Sequence, residues 1–261
     1  MTGGAFGAMV RGIVGPALVL FFVLGLWQGA CDAWSIPPYV LPAPTDIGHA
    51  LWRDAPTLTH ALGSTLLVTL SALGLSIVIG SVIAFILVQN VVIERSLMPY
   101  VVVMQVTPVV AVAPLIVILV HNTFAALVLC AMLIAIFPVI ANTLQGLKSI
   151  DPGLADYFRL HRATRWQTLW RLRLPSALPL FLAGVRVSSG LALVGAVVAE
   201  FVAGTGGNSA GLAYEILQSG FQMDIPRMFA ALFLITLAGL CLFGVTTGVQ
   251  NRLLGRWMAS R

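Results

Sequence analysis

Charged side chains are scarce in this sequence. Of its 261 residues, only 9% are Asp, Glu, Lys or Arg, whereas 59% are hydrophobic. Because a soluble domain is about one quarter charged, this chain has too little charge to cover a water-exposed surface. The composition excludes an ordinary soluble domain and indicates that most of the surface faces lipid.

Lysine is almost absent, since Lys148 is the only one in the chain. It follows Leu147, so the Gly-Lys-Ser/Thr ending of a phosphate-binding loop is missing. The glycine-rich segment 204–211 contains no lysine either, and we interpret it as a flexible connection. Any ATP hydrolysis must therefore come from a separate partner subunit, and we expect neither enzyme activity nor a cofactor in this chain.

Patterns for metal binding and catalysis are also missing. Cys31, Cys130 and Cys241 lie far apart and the four histidines are scattered, so neither a disulfide framework nor metal-ligand spacing is visible. No set of nucleophile, base and acid stands out, and we expect no metal site and no catalytic residues. The net charge of +5 is spread between long apolar runs, unlike the basic surface of a nucleic-acid-binding protein.

Long apolar runs are what the sequence does contain. A helix needs about 20 apolar residues to cross the hydrocarbon core of a membrane. The third and fourth runs form one uncharged stretch, and we place a tight turn at its only polar cluster, His121-Asn122-Thr123. The first run is too long for the core of a signal peptide, so we expect it to be retained. The predicted spans are residues 13–30, 62–88, 98–120, 124–144, 176–203 and 228–250.

The basic residues lie almost entirely on one side of these spans. With the N-terminus inside, the opposite loops hold only Arg53, with Arg227 at a membrane edge. Positive residues mark cytoplasmic loops, so we predict that both termini are cytoplasmic in a multi-pass protein of the bacterial inner membrane. The basic residues of the predicted cytoplasmic segments are Arg11, Arg95, Lys148, Arg159, Arg162, Arg165, Arg171, Arg173, Arg252, Arg256 and Arg261.

The connection after the first span is rich in proline. Residues 36–44 hold four prolines, which predicts an extended segment. Thr45-Asp46 follows and is expected to open a short surface helix.

The longest predicted cytoplasmic connection, residues 146–179, has strong helix punctuation. Asp151 can cap a helix that begins with Pro152. Thr164 and Gln167 have the spacing of a capping box, which predicts a second short helix over residues 165–172. We expect Leu174-Pro175 to end this helix before the fifth span.

These two short helices carry aromatic side chains among arginines. One interpretation is that the aromatic rings lie on lipid headgroups while the arginines reach phosphates. The other is that the loop fits a groove on a soluble protein. Beyond Lys148 every basic residue here is Arg, which favours a docking surface, because Arg is enriched and Lys depleted at protein interfaces.

At this loop the sequence resembles a known family. The run Leu154-Ala155-Asp156-Tyr157-Phe158-Arg159-Leu160-His161-Arg162-Ala163-Thr164-Arg165-Trp166-Gln167, with Leu174-Pro175 after it, is similar to the "EAA" loop in permease subunits of binding-protein-dependent ABC importers. Asp156 stands where the family usually has Glu, Tyr157 and Phe158 replace two alanines, and Arg162 replaces a glycine. Other segments resemble the nitrate, taurine, sulfonate and hydroxymethylpyrimidine branch, among them Gln105-Val106-Thr107-Pro108 and Gly195-Ala196-Val197-Val198-Ala199-Glu200-Phe201.

The resemblance implies an all-α bundle of the type I importer kind with several partners. They are two ABC ATPase subunits, a second permease copy or homologue, and an extracytoplasmic solute-binding protein that delivers a small solute. It also implies that the loop forms coupling helices on the ATPase. The implied coupling residues are Asp156, Tyr157, Phe158, Arg159, Arg162, Ala163, Thr164, Arg165, Trp166, Leu169 and Trp170.

A few polar residues in the spans are candidates for the translocation pathway. Gln105 and Asn142 either line the path or hydrogen-bond between helices. Glu200 is costly in a span, so it either lines the path or caps and pairs across helices. Pro108 and Pro114 are expected to bend the third span, and Pro138 the fourth.

The sequence thus predicts an all-α membrane protein of about six spans. We expect one transmembrane permease domain over residues 1–261, with a core at about 62–250 and the coupling loop at 146–175. The predicted function is a permease that forms the pathway of an ABC importer. The alternatives are an ion-coupled secondary carrier, which would need an ionisable relay in the spans, and a membrane scaffold.

Overall fold

A computed structural model describes residues 3–203 and 210–258, and side chains within this part except those of residues 3–13, 165 and 256–258. The described residues form helices joined by short turns and irregular connections, and they contain no strand. The predicted loop 204–211 lies mostly outside them. The helices are α1 (Gly3–Ala33), α2 (Pro44–Arg53), α3 (Ala55–Val88), α4 (Val91–Val106), α5 (Val109–Leu119), α6 (Thr123–Lys148), α7 (Pro152–Leu160), α8 (Arg165–Thr168), a π-helical segment (Leu169–Arg173), α9 (Leu174–Ala203), α10 (Leu212–Phe221) and α11 (Ile225–Met258).

Five of the described helices are long and apolar enough to cross a membrane. They are parts of α1, α3, α6, α9 and α11, and α9 qualifies together with the segment before it. The pair α4 and α5 passes the same test jointly, which makes six spans if the pair counts as one. The all-α membrane fold predicted from the sequence is confirmed.

The predicted third span is broken rather than continuous. α4 and α5 meet at an angle of 94° across Thr107 and Pro108. Pro108 has no N–H to donate and disfavours helical geometry in Thr107, whose ψ of 122° is extended. Pro108 therefore does more than bend the span, whereas Pro114 and Pro138 lie inside helices that continue past them.

The turn predicted between the third and fourth runs is present. Residues 120–122 are not helical, and α6 begins at Thr123. The side-chain oxygen of Asn122 accepts a hydrogen bond from the Ala125 N–H at 3.0 Å. Asn122 is thus the N-cap of α6, as its residue type favours.

The residues fall into two compact units. One contains the described residues up to Thr59 together with Glu215–Phe233, and the other contains His60–Tyr214 and the residues from Leu234 onward. The second unit holds the coupling loop and most of the spans.

Small residues bring α6 and α9 into close contact inside the second unit. A Cβ atom added to Gly184 of α9 would lie 2.8 Å from the Pro138 carbonyl oxygen of α6, and one added to Gly195 would lie 2.8 Å from the Ala131 Cα atom. At the level between them, the Ser188 hydroxyl of α9 donates to the Ala135 carbonyl at 2.6 Å. Small residues and hydroxyls at such an interface let two membrane helices pack backbone to backbone.

The other unit contains a compact connection after α1. The N–H groups of Val40 and Leu41 both donate to the Pro37 carbonyl, so this segment is a tight turn and the extended conformation predicted for it is wrong. The prolines favoured an extended conformation, but Pro38 also suits the second position of a turn, because its ring fixes φ near the value required there. α2 then begins at Pro44, and the Asp46 carboxylate accepts from the Ala43 N–H at 3.0 Å.

Ion pairs also stabilise this unit. Arg53 at the end of α2 contacts Asp54 at 2.7 Å and Asp224 at 2.6 Å. Hydrogen bonds to these two carboxylates raise the pKa of the Arg53 guanidinium above its ordinary value. Arg227 pairs with the buried Glu215 at 2.5 Å, an interaction that joins α10 to α11.

Candidate functional site

The first helix of the coupling loop begins where the sequence predicts. The Asp151 carboxylate accepts from the Gly153 N–H at 2.7 Å and from the Leu154 N–H at 3.3 Å, and Pro152 is the first helical residue of α7. Two of the unpaired N–H groups at the helix start are therefore satisfied, which fixes the point at which the chain leaves the membrane-spanning α6.

α7 ends in a motif that normally uses glycine. Arg162 has a φ of 49°, in the left-handed region. The Ala163 N–H bonds to the Phe158 carbonyl at 3.0 Å and the Arg162 N–H to the Arg159 carbonyl at 2.9 Å, which is the Schellman pattern. Glycine adopts this conformation without strain, which agrees with the glycine that the family resemblance implies at position 162.

The second helix starts with a capping box, as predicted. The Gln167 N–H donates to the Thr164 hydroxyl at 3.2 Å, and the Thr164 N–H donates to the Gln167 side-chain oxygen at 2.9 Å. Each residue satisfies a donor of the other, so the turn between α7 and α8 is held by local hydrogen bonds.

The predicted end of this helix at Leu174-Pro175 is wrong. α8 passes through the π-helical segment Leu169–Arg173 into α9 without a break, and the Leu174 N–H bonds to the Leu169 carbonyl five residues earlier. A proline ring clashes with the carbonyl four residues before it in a regular helix. The wider π turn provides room before Pro175, so the helix continues where a break was expected.

Several of the predicted coupling residues form an exposed aromatic surface. Trp166 and Trp170 are 67% and 56% exposed, and their rings meet edge to face with centroids 5.7 Å apart. Tyr157 is also exposed, and its ring lies 4.4 Å from that of His161. Large exposed aromatic side chains on capped helices are typical of a surface that another molecule covers.

The remaining predicted coupling residues surround this surface. Asp156, Arg159, Arg162 and Thr164 are exposed, and Arg159 makes a long 3.5 Å contact with Asp156. Phe158, Ala163 and Leu169 are half-buried and line a cavity of about 540 Å³ under the loop. The side chain of Arg165 lies outside the described part.

The three predicted pathway residues do not come together in one site. Gln105 is exposed and lines a cavity of about 270 Å³ at the bend between α4 and α5. Asn142 donates its side-chain N–H to the Pro138 carbonyl of its own helix at 2.9 Å. Glu200 lies elsewhere, at the last turn of α9, and is only 4% exposed.

Glu200 belongs to a group that sequence reasoning did not find. Its carboxylate accepts from the Thr65 hydroxyl of α3 at 3.1 Å and from the Ala213 N–H of α10 at 3.2 Å. The Thr65 hydroxyl in turn accepts from the Leu212 N–H at 2.9 Å. We call these four residues, Thr65, Glu200, Leu212 and Ala213, the Glu200 tie.

Gly211 makes the tie possible. A Cβ atom at this position would overlap the Glu200 carboxyl group. The chain therefore passes directly over the carboxylate only because residue 211 has no side chain. Its place in a glycine-rich run was the one sequence signal, and that signal indicated only a connection.

Known proteins are similar in sequence to most of this chain. The family described as "Binding-protein-dependent transport system inner membrane component" matches residues 76–256. A formylaminopyrimidine transport permease protein, ThiX, of Halalkalibacterium halodurans is 33% identical over 241 residues, which cover 92% of this chain and 94% of that protein. The riboflavin transport system permease protein RibX of Chloroflexus aurantiacus is 34% identical, with 95% and 91% covered.

A solved structure supports the fold independently. The chain of an amino acid ABC transporter, crystallised with histidines, aligns with a TM-score of 0.64 over 77% of this chain and 96% of that one. At 19% identity this likeness concerns the fold alone. The predicted resemblance is confirmed by the family match and by these relatives. The chain therefore belongs to the family of binding-protein-dependent transport system inner membrane components, and it is a multi-pass inner-membrane permease subunit of an ABC importer.

Proposed function

We propose that the coupling loop is the surface on which a separate ATPase drives this permease. The observation that carries the proposal is the pair of exposed tryptophans, Trp166 and Trp170, on a helix that continues directly into the span α9. An exposed Trp pair supplies a large apolar contact with little loss of side-chain entropy. A partner that binds this surface therefore holds one end of a membrane-spanning helix.

Charge and shape favour a protein over a lipid surface as the partner. The caps at Asp151 and Thr164 hold the loop in one conformation, which suits a preformed groove on a folded protein. Arg162 and Arg171 are exposed and have no ion-pair partner among the described side chains, so they are free to meet carboxylates of an ATPase.

This assignment requires the basic ends of the helices to face the cytoplasm. Lys148 at the end of α6 pairs with Glu94 in the first turn of α4, Arg95 is the next residue along α4, and the helices of the coupling loop follow Lys148. Positive residues concentrate in cytoplasmic connections. We place both termini on that side and the connection that follows α1 on the other.

The assembly follows from the family. The permease acts with ATPase subunits and a solute-binding protein. We propose two ATPase subunits and a second permease copy or homologue, with the whole chain acting as one permease domain around a shared pathway. The cavity beside Gln105 is a candidate part of that pathway, since it lies at a broken helix where a path through the membrane can open.

The solute is a small molecule. The two relatives named above are permeases for a pyrimidine and for riboflavin. Both are heteroaromatic compounds, and we propose that this class be tested first. The first assay is binding of such compounds to the cognate solute-binding protein, because that protein meets the solute before the permease does.

The docking assignment is tested with the double variant W166A/W170A. A buried Trp at an interface contributes about 2 kcal/mol, so we expect ATPase binding to weaken at least roughly 30-fold and uptake to fall with it. The matched control is W52A, which removes an exposed Trp on α2 and should change neither. Unchanged ATPase binding in W166A/W170A would show instead that the loop is not the docking surface.

A further inference from the structure

The Glu200 tie caps a helix with side chains from elsewhere in the chain. The first N–H groups of α10, those of Leu212 and Ala213, have no partners within their own helix. The hydroxyl of Thr65 and the carboxylate of Glu200 satisfy them instead. The first turn of α10 is thus bound by hydrogen bonds to both α3 and α9.

The tie is also sealed from solvent. Thr65 is 1% exposed, Leu212 and Ala213 are fully buried, and Glu200 is 4% exposed. Leaving a buried donor or acceptor without a partner is costly. Moving the end of α9 away from α10 would therefore leave the Ala213 N–H without an acceptor, while the Leu212 N–H would stay bound only to Thr65 of α3.

The same helix connects the tie to the coupling loop. The apolar stretch Trp166–Ala203 runs through α8, the π-helical segment and α9 for 38 residues, about 57 Å at the rise of an α-helix. Trp166 lies at one end of this stretch and Glu200 near the other. One continuous helical stretch therefore connects the coupling loop to the tie.

We propose that Glu200 is a positioning residue that transmits the ATP-driven movement of α9 to the first turn of α10, on the side of the membrane away from the ATPase. This inference rests on the proposed docking of an ATPase at the coupling loop. A carboxylate suits the role because it accepts from two donors at once, one side-chain hydroxyl and one backbone N–H. Without it, the first turn of α10 has no hydrogen bond to α9 and keeps only the one from Leu212 to Thr65 of α3.

The variants E200A, E200Q and T65V test this role in the full complex with ATPase and binding protein. The measured quantities are assembly, ATP hydrolysis and the amount of solute taken up per ATP. We expect E200A and T65V to assemble and hydrolyse ATP, while uptake per ATP falls at least 10-fold. E200Q keeps an acceptor oxygen at this position, so it should retain most of the wild-type uptake per ATP. The double variant E200A/T65V should lower uptake per ATP no further than E200A does, because both substitutions disrupt the same hydrogen-bonded group.

Two matched controls separate transmission from simple stability. T69V removes a hydroxyl one turn along α3 that is equally buried but bonds only to its own helix. S188A removes a buried hydrogen bond between α9 and α6. Both should keep wild-type uptake per ATP. If E200A and these controls lower uptake per ATP equally, or if E200A leaves it unchanged, the inference is wrong.

A further variant keeps the proposal testable if E200A does not fold. G211A keeps Glu200 but adds a methyl group that overlaps its carboxyl group and displaces it from Thr65 and Ala213, so uptake per ATP should fall as in E200A. Unchanged uptake per ATP in G211A would then contradict the role. If the proposed function itself is wrong, the result is distinguishable, because the wild-type permease would then not bind an ATPase at all.

Discussion

Arg162 holds a backbone conformation that favours glycine. The left-handed region costs a residue with a side chain roughly 1–2 kcal/mol, yet the Schellman turn at the end of α7 requires it. This conformational free-energy cost is confined to one exposed turn at the end of α7. The shape of the coupling loop is therefore kept although the residue that usually provides it is missing.

We predict that R162G stabilises the isolated permease by about 1 kcal/mol, because glycine adopts this conformation without strain. The measurement is thermal unfolding in detergent. The control is R159G, which places glycine inside α7 and should destabilise by about 1 kcal/mol. If both variants shift the midpoint in the same direction, the assigned conformation of Arg162 is wrong.

Helix caps formed by residues a few positions apart were predictable from the sequence. Asp151 with Pro152, and Thr164 with Gln167, satisfy donors in their own helix starts, so spacing alone predicted both caps. Thr65 and Glu200 are 135 residues apart in the sequence, and no local pattern predicts a contact between them. Nor could the sequence show that Gly211 lies against Glu200, because a glycine-rich run fits any connection.

Between elements, the close packing of α6 on α9 organises the second unit. Gly184 and Gly195 meet the backbone of α6 with no space for a side chain. Such an interface gains its stability from van der Waals contact rather than from expelling water, since lipid is as apolar as the side chains. Losing even a few van der Waals contacts between α6 and α9 therefore lowers the stability of this unit.

We predict opposite effects for two glycine substitutions on α9. G184A places a methyl group against the Pro138 carbonyl and should destabilise by about 1–3 kcal/mol. G190A fills open space on the same helix and should be neutral or stabilise by up to about 1 kcal/mol, as alanine favours helix. Unfolding midpoints in detergent measure both. Equal destabilisation by the two variants would argue against the α6–α9 contact.

Proline was the least reliable guide to the elements. Pro108 separates two helices at a right angle, Pro114 and Pro138 lie within helices, and Pro175 is preceded by a π turn. The same ring thus produces three outcomes. Which one occurs depends on whether neighbouring turns can widen to accept the ring, and tertiary packing rather than local sequence decides that.

Over the described part of the molecule, hydropathy alone gave the approximate limits of five spans, and the predicted third span is the bent pair α4 and α5. Apolar length is sufficient because the bilayer thickness sets how long a span must be. The orientation of the spans rests on the distribution of Arg and Lys.

Cysteine labelling tests this orientation. In a chain without its three native cysteines, W52C should react with a membrane-impermeant maleimide in intact cells, and H161C only after permeabilisation. Both positions are exposed, so accessibility of the side chain is not limiting. A126C, at a fully buried position, should react in neither case. The reverse pattern for the first two would invert the topology and remove the ATPase from the coupling loop.

The π turn before Pro175 sets the rotational phase between the tryptophans and the span below them. Each residue advances a helix by about 100°, so deleting or inserting one residue between Trp170 and Pro175 would turn the tryptophans to another side of the bundle. Chimeric permeases that exchange this region between relatives must therefore keep its residue count, even where they change every side chain in it.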